Sequence, residues 1–161
     1  MTAEVPLDQE AERFWRALMR VMVGLPKALD DDLQKATGLT LSEYSVLMHL
    51  SEAADVELRM SDLAAATALS VSRISRVVDV LQARGWVMKR RHDRDARGSV
   101  ACLTNEGLRR LELAYPAVLQ SARGRVVDHL DTGLITATAD QFQKVASRLD
   151  WTGRQEPRSR C

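Results

Sequence analysis

The chain has 161 residues, 45% of them hydrophobic and 28% charged, with a net charge of +1. That size suits one domain or one compact unit with an extension. It holds no apolar run of about 18 residues, and its acidic, polar start before Phe14 lacks the basic-then-apolar order of a signal peptide, so the expectation is a cytoplasmic protein with no membrane partner.

In chain order, residues 1–7 read as a short arm. From Asp8, the apolar positions Ala11, Phe14, Leu18, Val21 and Leu25 recur at alternating spacings of three and four, one stripe of a helix. Pro26 predicts a bend, because proline removes an intrahelical hydrogen bond. Leu29 and Leu33 resume the stripe, and Gly38 closes the helix after about Ala36. Thr40 and Glu43 then have the spacing of a capping box, with Leu39 and Tyr44 as its hydrophobic staple. The helix that follows is apolar on most sides through Leu50 and is expected to be buried.

Leu58–Met60 reads as a short extended piece. Ser61 is placed to cap a short helix rich in small residues, Ala64, Ala65 and Ala66, which admit a close neighbour. After a tight connection at Thr67–Leu69, Ser70 caps a helix to about Arg84, ended by Gly85. Its expected core stripe is Val71, Ile74, Val78 and Leu81. Trp86–Arg91 and Ser99–Leu103 read as two strands joined by a charged turn, His92–Gly98. Thr104 opens another helix with the stripe Leu108, Leu111, Tyr115, Val118 and Ala122, interrupted by Pro116. A turn at Asp131–Gly133 precedes a last helix, about Ile135 to Leu149, and Thr152–Cys161 reads as a flexible tail.

Charge is concentrated in the middle. Between Arg73 and Arg97, Arg73, Arg76, Arg84, Lys89, Arg90, Arg91, Arg94 and Arg97 face only Asp79, Asp93 and Asp95, so the rest of the chain is acidic. A local basic patch of this kind suits a polyanion. The helix from Ser70 exposes Ser72, Arg73, Ser75 and Arg76 near its N-terminus. Arginine pairs bidentately with guanine edges in the major groove, serine bonds bases or phosphates, and a helix N-terminus favours phosphate. The two helices between Ser61 and Arg84 have the layout of a helix-turn-helix, whose second helix enters the major groove. The charged turn adds a wing, with Arg94 and Arg97 placed for the minor groove and Asp93 placed to hold Arg97. The fold class read from these signals is mainly α: a winged helix-turn-helix with a small β-hairpin wing.

No nucleophile elbow, phosphate-binding glycine loop, metal-spaced His/Cys cluster or paired-carboxylate pocket is present. The expectation is no enzyme, no cofactor and no metal. Cys102 lies in an alternating apolar stretch and reads as a small buried residue, and Cys161 lies on the tail.

Leu69–Val87 followed by Asp93-Arg94-Asp95-Ala96-Arg97 resembles the MarR family of bacterial regulators, and Leu103-Thr104-Asn105-Glu106-Gly107 resembles the start of that family's fifth helix. The similarity runs from about Asp8 to Leu149. It implies a homodimer joined by N- and C-terminal dimerisation helices, and a division into an arm and dimerisation helix (1–36), a DNA-binding domain (37–103), C-terminal dimerisation helices (104–150) and a tail (151–161). It also implies a pseudo-palindromic site on double-stranded DNA, with Ser70, Ser72, Arg73, Ser75 and Arg76 in the major groove and Arg94 and Arg97 on the wing. Family members commonly repress nearby genes and release DNA on binding a small aromatic or phenolic ligand. Trp15, Arg16 and His49 are the residues assigned to such a pocket. The competing readings are a winged-helix module that binds protein, for which an apolar recognition face is expected, and an activator that requires its ligand.

Overall fold

The computed structural model describes the backbone at residues 6–92 and 95–149, and side chains at 6–90 and 99–149. Helix α1 spans Gln9–Thr37. Asp8 caps its start by accepting from Ala11 N–H, and Gly38, in the left-handed region at φ 73°, closes its end. The helix continues through Pro26. Helix α2, Leu41–Glu52, begins at the expected capping box: Glu43 N–H donates to Thr40 Oγ1 at 3.2 Å, and Thr40 N–H donates to Glu43 Oε2 at 2.8 Å. Two otherwise orphaned donors are thereby satisfied.

Strand β1, Glu57–Arg59, runs directly into helix α3, Met60–Thr67. Ser61 is therefore not the cap. Cap and helix start both lie two residues earlier, at Arg59 and buried Met60, because Arg59 is held extended opposite Val100 in the sheet. Ser61 Oγ instead meets the Asp62 carboxylate. The turn after α3 is made by Ala68 in the left-handed region, with Ala68 and Leu69 N–H donating back to Ala65 and Ala64. Helix α4, Val71–Ala83, is capped by Ser70, whose Oγ accepts from Arg73 N–H at 3.3 Å.

Strands β2, Val87–His92, and β3, Asp95–Leu103, form the hairpin. It is longer than the alternation of the sequence suggests: His92 already pairs with Asp95, and residues of the expected turn lie in β3. The run of consecutive charged residues in the sequence hides the alternating strand period there. Strand β1 adds to the other side of β3, giving an antiparallel sheet of order β1-β3-β2. Helix α5, Asn105–Arg125, is capped by Thr104 and contains Pro116. Two short 3-10 turns, Val127–His129 and Thr132–Leu134, lead to α6, Ile135–Arg148.

The core surrounds α2. Val46, Leu47 and Leu50 pack with Leu33 of α1, Leu63 of α3, Ile74, Val78 and Leu81 of α4, Val87 and Ala101 of the sheet, and Leu111 and Ala114 of α5. Two stripe positions depart from expectation. Val71 is 58% exposed, since it stands in the first turn of α4, beyond the elements that cover Ile74 and Val78. Tyr115 is also exposed, and Ala114 takes the inward place on α5. Helices α1 and α5 pack together, and Arg125 Nε and Nη2 and Ser121 Oγ all donate to Asp32, which holds that carboxyl well below the usual carboxylate range. Phe14, Val21, Val23, Leu113, Leu119, Phe142 and Val145 remain exposed, and α6 buries no side chain.

Candidate nucleic-acid interface

Helix α4 is held by one face and open on the other. Ile74, Val78 and Leu81 anchor it in the core. Ser70, Ser72, Arg73 and Arg76 lie exposed on the turns nearest its N-terminus. Ser70 and Ser72 share a hydrogen bond at 3.2 Å, which keeps both hydroxyls at the tip of the helix. Among the described residues, no carboxylate pairs with Arg73 or Arg76. A guanidinium without an internal partner retains all its donors for an external acceptor.

The remaining cations of the basic segment divide by their surroundings. Arg84 pairs with Glu43 at 3.2 Å, and Arg90 Nη2 reaches both Glu57 oxygens at 2.9 and 2.8 Å. Lys89 Nζ donates to Asp79 at 3.2 Å and to Ser75 Oγ at 3.3 Å. Ser75, expected to face DNA, is thus half-buried and engaged by Lys89, joining the base of the wing to α4. Lys89 entered the sequence reading only as one charge among many. Its link to Ser75 connects residues 14 apart in sequence, and no local spacing signals it.

Asp93 and Arg94 lie outside the described residues, as does the side chain of Arg97, whose backbone is in β3. Cys102 is a half-buried free thiol donating to Glu57 Oε2 at 3.3 Å, and burial together with that carboxylate pushes its titration upward. A raised thiol titration lowers thiolate content and hence reactivity.

The three residues assigned to a ligand pocket occupy different settings. Trp15 is 50% exposed on the N-terminal half of α1, and Arg16 pairs with Glu12 on the same helix. His49 is buried in α2, where burial holds its imidazole below the ordinary value. A separate cleft of about 350 Å³, between α1 and α5, is lined by Asp32, Ala36, Ala117, Gln120, Ser121, Gly124 and Arg125. Among the described residues no group of His, Cys, Asp and Glu has metal-binding geometry, and no helix is long and apolar enough to cross a membrane.

Comparison with known proteins agrees with this architecture. The sequence profile of the MarR family matches residues 37–98, the stretch from the end of α1 into the wing. The crystal structure of AbsC, a MarR family transcriptional regulator from Streptomyces coelicolor, is similar over 90% of this chain and 97% of its own, with 32% identity and a TM-score of 0.78. Sco3205, a MarR family transcriptional regulator from the same organism solved in complex with DNA, is similar over 99% of this chain and 100% of its own, with 29% identity and a TM-score of 0.82. The transcriptional repressor MprA of Escherichia coli (strain K12) is 26% identical over 115 residues, which span 71% of this chain but only 62% of the repressor. With 32% identity to AbsC over 90% of the chain, and the family profile on residues 37–98, the chain belongs to the MarR family, whose members are transcriptional regulators and not enzymes.

Proposed function

We propose that the protein is a homodimeric, sequence-specific DNA-binding repressor that acts in the cytoplasm and is relieved by a small aromatic or phenolic ligand. The observation that carries the DNA reading is the open face of α4: Arg73 and Arg76 are exposed and unpaired by any described carboxylate, beside the hydroxyls of Ser70 and Ser72. A protein-binding module would present an apolar face there instead. The likeness to Sco3205, solved with DNA, supports the same reading. In this account α4 reads bases in the major groove. The wing, through Arg94 and Arg97, with Asp93 assigned to hold Arg97, adds a minor-groove contact, and Ser75 supports Lys89 while remaining near the groove.

The exposed apolar residues of α1, α5 and α6 support the dimer, with residues 1–36 and 104–150 joining copies and 37–103 binding DNA. Two recognition helices then meet a pseudo-palindromic operator in successive major grooves. Trp15 and Arg16, on α1, and His49, on α2, remain the residues assigned to the ligand. A cationic side chain beside apolar walls suits an aromatic carboxylate.

The test is selection of an operator from a random duplex library, followed by binding of wild type, Arg73→Ala and Arg76→Ala to that operator and to unrelated DNA. Selective loss on the operator supports base reading. Equal loss on both DNAs refutes it, and recovery of no sequence favours the protein-binding module. Aromatic acids added to the same assay are expected to release wild type but not Trp15→Ala. Ligand-strengthened binding would mark an activator.

A further inference from the structure

The C-terminal end of α4 is built around Trp86. Gly85, at φ 74°, turns the chain out of the helix, and Trp86 N–H closes the end by donating to Leu81 O at 3.0 Å. The Trp86 carbonyl then receives the start of α5: Thr104 N–H donates to it at 3.1 Å, and the Thr104 hydroxyl lies 3.0 Å from it and 2.8 Å from Gly85 O. Gly107 comes so close that a Cβ there would fall 2.1 Å from the Trp86 carbonyl oxygen. Around the indole, Arg84 of the α4 end lies 5.0 Å from the ring centre and Arg110 of α5 lies 5.4 Å from it. Arg84 also pairs with buried Glu43, the capping-box residue of α2. Arg110 Nε is buried without a hydrogen-bond partner, and its Nη2 reaches to 3.8 Å from where a Cβ on Gly38 would stand.

One indole therefore meets the ends of four helices through two cations. Attraction to the ring face offsets the cost of bringing two guanidiniums together, and Glu43 neutralises one of them. Stacking of planar groups fixes orientation more tightly than a point charge does. The N-terminal half of α4 carries the exposed arginines, whereas this joint grips its other end.

We propose that Arg84, Trp86 and Arg110 are positioning residues that set the angle of the recognition helix relative to α5, and thereby the half-site spacing the dimer accepts. The proposal rests on the DNA-binding homodimer reading. One added base pair moves a half-site by about 3.4 Å and rotates it by about 35°, so a rigid joint discriminates spacing sharply and a loosened one does not.

The test is a spacer series on the selected operator, with one or two base pairs added or removed between half-sites, using the full chain. Wild type is expected to prefer its own spacing by roughly tenfold or more over a one-base-pair change. Arg84→Met and Arg110→Met are each expected to reduce that preference to about threefold or less, on the same energetic scale, while base preference within a half-site stays near wild type. Arg110→Met is expected to keep the wild-type melting temperature, whereas Arg84→Met, which leaves buried Glu43 without its cation, is expected to lower it. Arg84→Lys keeps the charge beside Glu43 but not the planar guanidinium over the indole, and is expected not to restore the preference. Variants that keep the wild-type spacing profile overturn the proposal. A wild type that binds its operator with no spacing preference overturns it too, and also removes the dimer reading. An operator lost by Arg76→Ala alone, with the Met variants unchanged, leaves the DNA reading standing without the joint.

Discussion

Arg76 and Lys89 are both cations beside α4, yet their surroundings give them different work. Arg76 is exposed, whereas Lys89 is spent on Asp79 and Ser75. Arg76→Ala is expected to cost about 1–3 kcal/mol on the operator and to relax base preference at one position, measured by titration against point-substituted operators. Val56 supplies a test of strain. It sits at φ 52°, a conformation disfavoured for a β-branched residue, while its carbonyl accepts from Leu103 N–H at 2.9 Å. Val56→Gly is expected to raise unfolding stability by about 1 kcal/mol, read by denaturant titration, since relief of the left-handed strain exceeds the added chain entropy. His49 gives a pH signature. Its folded-state titration is lowered by burial, so the unfolded chain binds the proton more readily. Stability from this group is complete above about pH 6.5 and is lost as pH falls below it. Unfolding free energies at pH 7.5 and pH 5 are expected to differ more for wild type than for His49→Leu.

At the scale of elements, helix boundaries were legible wherever the capping group lies within three or four residues of its target. Thr40, Ser70 and Thr104 cap as the sequence implied, and Gly38 and Gly85 end their helices at positive φ. Sites closed by distant partners were not legible. The β1–β3 pairing joins Leu58 to Ala101, and it shifts the start of α3 away from Ser61. The Lys89–Ser75 and Cys102–Glu57 bonds, and the meeting of Arg110 with Trp86, likewise depend on tertiary placement. Of the proposed DNA contacts, the exposure of Ser70, Ser72, Arg73 and Arg76 followed from helical spacing opposite Ile74 and Val78, but the engagement of Ser75 did not. Gly107 tests the α4–α5 junction directly. Gly107→Ala drives a methyl into the Trp86 carbonyl, where backbone cannot yield as a side-chain tip would. It is expected to cost about 3 kcal/mol, visible as a lowered denaturation midpoint with unchanged slope.

For the whole molecule, the contrast is between a packed centre and bare ends. The core around α2 is closed, while α1, α5 and α6 leave aromatic and aliphatic side chains open. These are the side chains that the proposed dimer would cover. Replacing Leu119, exposed on α5, by Glu is expected to shift the protein to monomer in sedimentation and to abolish high-affinity operator binding, because each half-site then binds alone. A variant that stays dimeric would place the interface elsewhere.

The central claim, that the open face of α4 and the wing grip DNA as a dimer, is tested most directly by operator binding over a salt series beside unrelated DNA. The account predicts tight operator binding that weakens steeply with salt, with a log–log slope of about −5 to −9 for roughly 6–10 phosphate contacts. It also predicts at least about a thousandfold preference over unrelated DNA. Equal, weak binding to both DNAs at every salt concentration would contradict it.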